Sequence, residues 1–237
     1  MIILTLDTSS VTAACGLVDG EQDKLLYESF INVPLTHSQT ILPMTQTALQ
    51  TAGRTIEDVD LLAVCHGPGS FTGVRIGVAA AKGLGFERGI LCAPVSTLEA
   101  LAQNYAGVQT DAVIAAVLDA RRQQVYTALF DCATGVLTRL TDDQALAIDD
   151  AQKFWKNAKK SVIFVGDGAD LCYNACKDAL PCSVAPPSLR YVKPRGIALA
   201  AVRMAREGQT VPVSELHPFY LRLPQAEREL KNKQKNQ

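Results

Sequence analysis

Residues 6–19 read LDTSSVTAACGLVD, and residues 118–131 read LDARRQQVYTALFD. Leu6, Asp7, Leu17 and Asp19 stand at the same offsets as Leu118, Asp119, Leu129 and Asp131. Each stretch reads as an apolar strand ending in an aspartate, a tight turn, and an apolar strand returning antiparallel. Four shared residues would be weak alone, but their surroundings repeat as well. Around the first copy, β-branched apolar runs at 2–7, 11–18 and 24–33 predict three strands. An amphipathic helix follows at 37–53, with Ile41, Leu42, Thr45, Ala48 and Leu49 on one face and Gly53 as its stop. A strand (60–65), a helix (71–87), a strand (90–94) and a helix from Ser96 complete the set. Around the second copy the same reading gives strands at 112–118, 123–130 and 135–140, a helix at 149–158 and a strand at 161–165. A helix at 168–179, a strand at 182–185 and a helix at 195–207 follow. Both halves run βββαβαβα, so a duplicated α/β fold is expected. The polar, turn-rich stretch 104–111 (NYAGVQTD) divides it into a first lobe, 1–105, and a second, 106–237, with helix 195–207 packing back toward the first. Two such lobes enclose a cleft with ligands at the carboxyl ends of its strands, and Asp7 and Asp119 are expected to face each other across it.

Composition narrows the function classes. The 237 residues are 48% hydrophobic and 20% charged, ordinary for a globular chain with a sizeable core. A net charge of -1 gives no overall attraction to nucleic acid or to an anionic membrane. MIILTLDTSS has no basic segment, and Asp7 cuts its apolar run short, so neither a signal peptide nor a membrane span is expected. Seven scattered cysteines form no disulfide framework and suit a reducing cytoplasm. Cys172, Cys176 and Cys182 lack a histidine at metal-site spacing and are expected to be buried free thiols.

The other decisive stretch is HGPGSFTGVRIGVAAAKGL, residues 66–84. It is not a Walker A loop, because Val74 and Arg75 follow Gly73, and Thr72 spoils the third glycine of G-x-G-x-x-G. Pro68 and Gly69 make a turn, and Ser70 or Thr72 can cap the following helix. In that helix Gly73, Gly77 and Ala81 recur at four-residue spacing as a stripe of small residues. Glycine inside a helix costs about 1 kcal/mol against alanine, so the stripe needs a packing reason. Either the helix lies tightly on its own sheet, or it meets a partner; the partner reading is preferred, with Val74, Arg75 and Val78 as flanking contacts.

LDTSS, THSQTILPMTQTAL (36–49), GPGSFTGVRIGVAAAKGL (67–84), APVSTLEALA (93–102) and PFYLRLPQAE (218–227) together resemble the bacterial TsaB family, formerly YeaZ. That family lies in the actin/sugar-kinase/heat-shock superfamily of duplicated ribonuclease-H-like lobes. The resemblance implies a part in installing the threonylcarbamoyl group on tRNA, as a non-catalytic scaffolding subunit. The implied partners are the catalytic paralogue TsaD and the ATPase TsaE, with a homodimer when the chain is alone and tRNA met only through the complex. His37, Ile41, Gly73, Val74, Arg75, Gly77, Val78 and Ala81 are the expected partner interface.

The paralogue's metal-binding His-x-x-x-His pair falls here on Thr97 and Leu101, which cannot replace it, so neither a metal nor a catalytic residue is expected. His37 has no second histidine and no carboxylate four residues on, and His66 and His217 read as structural or interfacial. No serine sits in a G-x-S-x-G elbow, and nothing supports proteolysis. Asp7, Thr8, Ser9, Asp119, Gly166 and Gly168 are the candidate remnant of the superfamily's nucleotide site. Its first turn lacks glycine, and Arg121 and Arg122 crowd the second, so no cofactor is expected to bind tightly and ATP or ADP only weakly or shared with a partner. The alternative is a free-standing ATPase or small-molecule kinase working in the cleft.

Overall fold

The computed structural model describes residues 1–33 and 36–222. Three strands open the chain: β1 (Ile2–Asp7), β2 (Ala13–Asp19) and β3 (Lys24–Ile31). They are followed by α1 (His37–Thr51), β4 (Leu61–Gly67), α2 (Phe71–Gly85), β5 (Leu91–Ser96) and α3 (Thr97–Ala102). The second half brings β6 (Thr110–Asp119), β7 (Gln124–Cys132), β8 (Thr138–Arg139) and β9 (Gln144–Ala147). It continues with α4 (Ile148–Lys156), β10 (Val162–Val165), α5 (Ala169–Cys176), β11 (Cys182–Val184), a short α6 (Pro187–Arg190), α7 (Pro194–Arg206) and β12 (Val211–Pro212). One sheet has the order β12-β5-β4-β1-β2-β3; the other has β11-β10-β6-β7-β8, with β9 also on β7. Leaving out β12, the two orders are the same, and the duplicated ribonuclease-H-like fold class is the one found.

β1 and β4 are apolar along almost their whole length because helices cover both faces of the first sheet. β1 runs antiparallel to β2 with Asp7 opposite Ala14, and β6 antiparallel to β7 with Asp119 opposite Val125. Each aspartate therefore ends the first strand of its sheet. The single third strand expected at 135–140 is instead two short pieces, β8 and β9, both paired to β7. Leu140–Asp143 interrupts them, and Thr141 Oγ1 accepts the Leu129 N–H in place of a ladder partner.

The end of the chain turns back to the first lobe. α7 lies on the first sheet, where Gly16 leaves room for Pro194, and β12 pairs antiparallel with β5. Residues 194–216 thus complete the first lobe. One apolar cluster joins the lobes, running from Ile3 and Ala63 of the first sheet through Leu98 and Leu101 of α3 to Ile114 and Phe130 of the second. Polar contacts reinforce this seam. The Ser96 hydroxyl donates to Asp143 (2.6 Å), and the half-buried Glu99 carboxylate lies between the Arg139 and Arg203 guanidinium groups at 3.3 and 3.0 Å.

Candidate functional site

The turn after β1 is closed on itself. One oxygen of Asp7 accepts from the backbone N–H (2.9 Å) and hydroxyl (2.5 Å) of Ser9, and the Thr12 N–H is turned to the Ser10 hydroxyl. Asp7 is fully buried, its second oxygen has no hydrogen-bond partner, and the Cys65 thiol lies beside it. Burial pushes the Asp7 carboxyl above the usual carboxylate range, opposed more weakly by the bonds from Ser9.

The start of α2 fills the space in front of this turn. The Thr8 hydroxyl donates to the Gly73 carbonyl (2.7 Å), the Ser70 N–H donates to the Ser9 carbonyl (2.7 Å), and the Ser70 hydroxyl caps the helix by accepting from the Gly73 N–H. A Cβ at Gly69 would meet the Ser9 carbonyl, one at Gly73 the Thr8 carbonyl, and one at Gly77 the Thr8 hydroxyl, all inside 3.0 Å. Gly69, Gly73 and Gly77 are there so that α2 can sit on residues 8–9 of its own chain.

The second turn is closed differently. One Asp119 oxygen accepts the Arg121 N–H (2.7 Å), and the other pairs with the Arg121 guanidinium (3.2 Å). Arg121, Arg122 and Gln123 all have left-handed φ angles, 62°, 55° and 56°. The Asp119 N–H donates to Asp167, whose carboxyl burial pushes upward. Gly166, at φ 122°, brings the start of α5 against the Val117 carbonyl, and Gly168 lies against Leu118 and the Asp119 N–H. In the first lobe Gly67 (φ 129°) and Gly69 stand at the matching places, so a G-x-G follows the fourth strand of both halves.

Between the turns lies a cleft of about 340 Å³, lined by Ser9, Ser10, Ser70, Phe71, Asp119, Arg121, Tyr126, Asp167, Tyr220 and Arg222 among others. Of the expected nucleotide set, Ser9 and Asp119 face it; Asp7, Thr8, Gly166 and Gly168 do not. The expectation that Asp7 and Asp119 oppose each other is corrected: Asp7 is sealed off, and Asp167 is the second acid of the cleft. Thr97, the first residue of α3, and Leu101, near its end, are both buried, and a threonine hydroxyl with a leucine is no donor set for a transition metal. Among the described residues no three His, Cys, Asp or Glu side chains converge. His37 is tied through Nε2 to the Ser10 carbonyl (2.8 Å), and His66 bonds the His217 carbonyl through Nδ1 (3.1 Å). All seven cysteines are free, with Cys172 and Cys176 inside the second lobe's core.

The family model for TsaD, tRNA N6-adenosine threonylcarbamoyltransferase, matches residues 33–230. The chain is 34% identical to the tRNA threonylcarbamoyladenosine biosynthesis protein TsaB of Bacillus subtilis, covering 96% of both. It is 30% identical to the Escherichia coli protein of the same name, over 94% of this chain and 95% of that one. The chain belongs to the TsaB family. A solved Pseudomonas aeruginosa protein, described by its similarity to the peptidase YeaZ, superposes with a TM-score of 0.79 at 26% identity, covering 93% of this chain and 99% of that one. The hydroxyls of Ser9 and Ser70 are held by Asp7 and the Gly73 N–H, and neither is hydrogen-bonded to a histidine.

For a TsaB-family chain the partner-facing expectation needs correction. Ile41, Gly73, Val74, Gly77, Val78 and Ala81 are buried inside the first lobe, so the small-residue stripe faces its own sheet and cannot reach a partner. Half-buried His37 is committed to Ser10, and of the expected set only Arg75 is exposed. The outer face of the helix pair holds Leu42 on α1, expected on the apolar face but exposed, and residues the sequence reading passed over: Gln46 on α1, and Ala79 and Gly83 on α2, with Phe86, 77% exposed, just beyond its end. Ala79, Gly83 and Phe86 lie four and three residues apart, on the side opposite Gly73 and Gly77.

Proposed function

We propose that this chain is a non-catalytic scaffolding and activating subunit of tRNA threonylcarbamoyladenosine modification, acting in the cytoplasm beside a TsaD-type catalytic paralogue and the TsaE ATPase. The observation that carries this reading is the internal use of both turns: Asp7 is buried against Ser9, Asp119 is capped by Arg121, and α2 fills the space before Thr8 and Ser9. An electrostatic clamp for phosphoryl chemistry needs exposed, preorganised groups at those places. The names of the Bacillus and Escherichia relatives support the pathway. In this reading the outer face of α1 and α2 docks the paralogue, or a second copy when the paralogue is missing. Exposed Ala79 and Gly83 let a partner helix approach closely, while Arg75, Leu42 and Phe86 supply the contacts. Contact with tRNA runs through the complex, and any ATP or ADP is held weakly or shared with a partner.

Ala79→Arg tests the docking claim, because the position is exposed. The variant should keep its melting temperature and lose co-purification with TsaD; retained co-purification would overturn the interface. For catalysis, the purified wild type should show no ATP turnover. Robust turnover abolished by Asp119→Ala would instead establish a free-standing ATPase or kinase.

A further inference from the structure

After β12 the chain makes a 3-10 turn against α2, where Lys82 donates to the Ser214 carbonyl and Leu216 is buried. Residues 217–222 then leave the first lobe and cross the mouth of the cleft. Three anchors hold them. The Phe219 N–H donates to the His66 carbonyl (2.7 Å), and its ring stacks on His66 at 5.7 Å. The Tyr220 ring stacks on Phe71 at 4.9 Å, with Arg75 on Phe71 at 4.4 Å. On the far side Arg222 donates to the Ala120 carbonyl of the second lobe (3.0 Å). Gly67 belongs to the first anchor, because a Cβ there would strike the Phe219 carbonyl.

The strength of attachment is informative. Phe219 and Tyr220 remain 38% and 37% exposed, so the segment is held by surface stacking and a few hydrogen bonds and not by a buried core. Such segments open at far lower cost than the sheets beneath them. What Arg222 holds is the turn with three consecutive left-handed residues, which is the part of the second lobe with the most backbone strain to release. Tyr220 and Arg222 also form part of the cleft's lining, so moving the segment changes access to Asp119 and Asp167.

We propose that residues 217–222 are a releasable strap that fastens the two lobes across the cleft, with Phe71–Tyr220 and Ala120–Arg222 as its two fastenings. The inference concerns the single chain and is independent of the partner reading. Hydrogen exchange followed by mass spectrometry on the full-length protein tests it. The reporters are the amides of Ala120, Arg121 and Gln124, which bond to Gln124, Asp119 and Arg121. Arg222→Ala and Tyr220→Ala should each speed exchange there by about two- to ten-fold, the effect of losing one such contact. Exchange in α4 and β10 should stay unchanged, and Tyr220→Phe, which keeps the ring, should match the wild type. Unchanged exchange at the reporters in both alanine variants would overturn the proposal. So would an equal rise throughout the chain, since the contacts would then serve general stability and not a strap.

Discussion

Gly73 and Gly83 lie on the same helix, and replacing each with alanine should have opposite effects. At Gly83 an added Cβ meets nothing within 4 Å, so Gly83→Ala should gain up to about 1 kcal/mol of helix propensity. At Gly73 the Cβ would press on the Thr8 carbonyl, a backbone atom that cannot swing away. That carbonyl is fixed in place by the Thr8 hydroxyl bond to Gly73 and by the Ser70 N–H bond to Ser9. Relief requires lifting the start of α2, which loses two hydrogen bonds at about 1 kcal/mol each and adds overpacking of about 1–3 kcal/mol. Against the propensity gain, Gly73→Ala should destabilise by about 2–4 kcal/mol. For a chain of this size 1 kcal/mol moves the melting temperature by about 2–4 °C. Thermal unfolding of the isolated protein should therefore show a fall of roughly 4–16 °C for Gly73→Ala and a small rise for Gly83→Ala. A Gly73→Ala protein melting at or above the wild type would refute the claim that the glycines serve contact within the chain.

Two further outcomes follow from the cleft turns. Asp7 has its carboxyl raised by burial, so its proton binds the folded state more tightly than the unfolded one. Its contribution is fully present below the unfolded value near 3.8 and is lost as pH rises through the folded one. Asp7→Asn removes that loss while its oxygen still accepts from Ser9, so the variant's melting temperature relative to wild type should improve from pH 4 to pH 8; a pH-independent difference would contradict it. Arg121→Gly should relieve a left-handed φ worth about 1 kcal/mol and give up an exposed ion pair worth little, raising the melting temperature by about 2–4 °C.

The paired LD stretches carried the duplication, and hydrophobic period carried most of the strands and helices around them, because both are local signals. The orientation of α2 was not local. Gly73, Gly77 and Ala81 mark a side that something approaches closely, and a single sequence cannot distinguish residues 8–9 of the same chain from a partner. The matching G-x-G at 67–69 and 166–168 was a usable signal, since both glycines follow a fourth strand. The aspartate at the end of β1 was read by position as a cleft residue. Its burial depends on neighbours such as Cys65, brought beside it by β4, and no spacing in the sequence reports that. Helix 195–207 was read as turning back toward the first lobe, but β12 was not: it pairs through two residues only, too little pattern for its register to be legible.

That return orders events during synthesis. The first sheet has its five main strands by residue 96, yet α7 and β12, which cover and extend it, come roughly a hundred residues later. At about 5–20 residues per second a ribosome needs on the order of 5–20 s to deliver them. Throughout that interval the apolar face destined for α7 is open to water, so the growing polypeptide presents a surface that chaperones can hold before its first lobe can close.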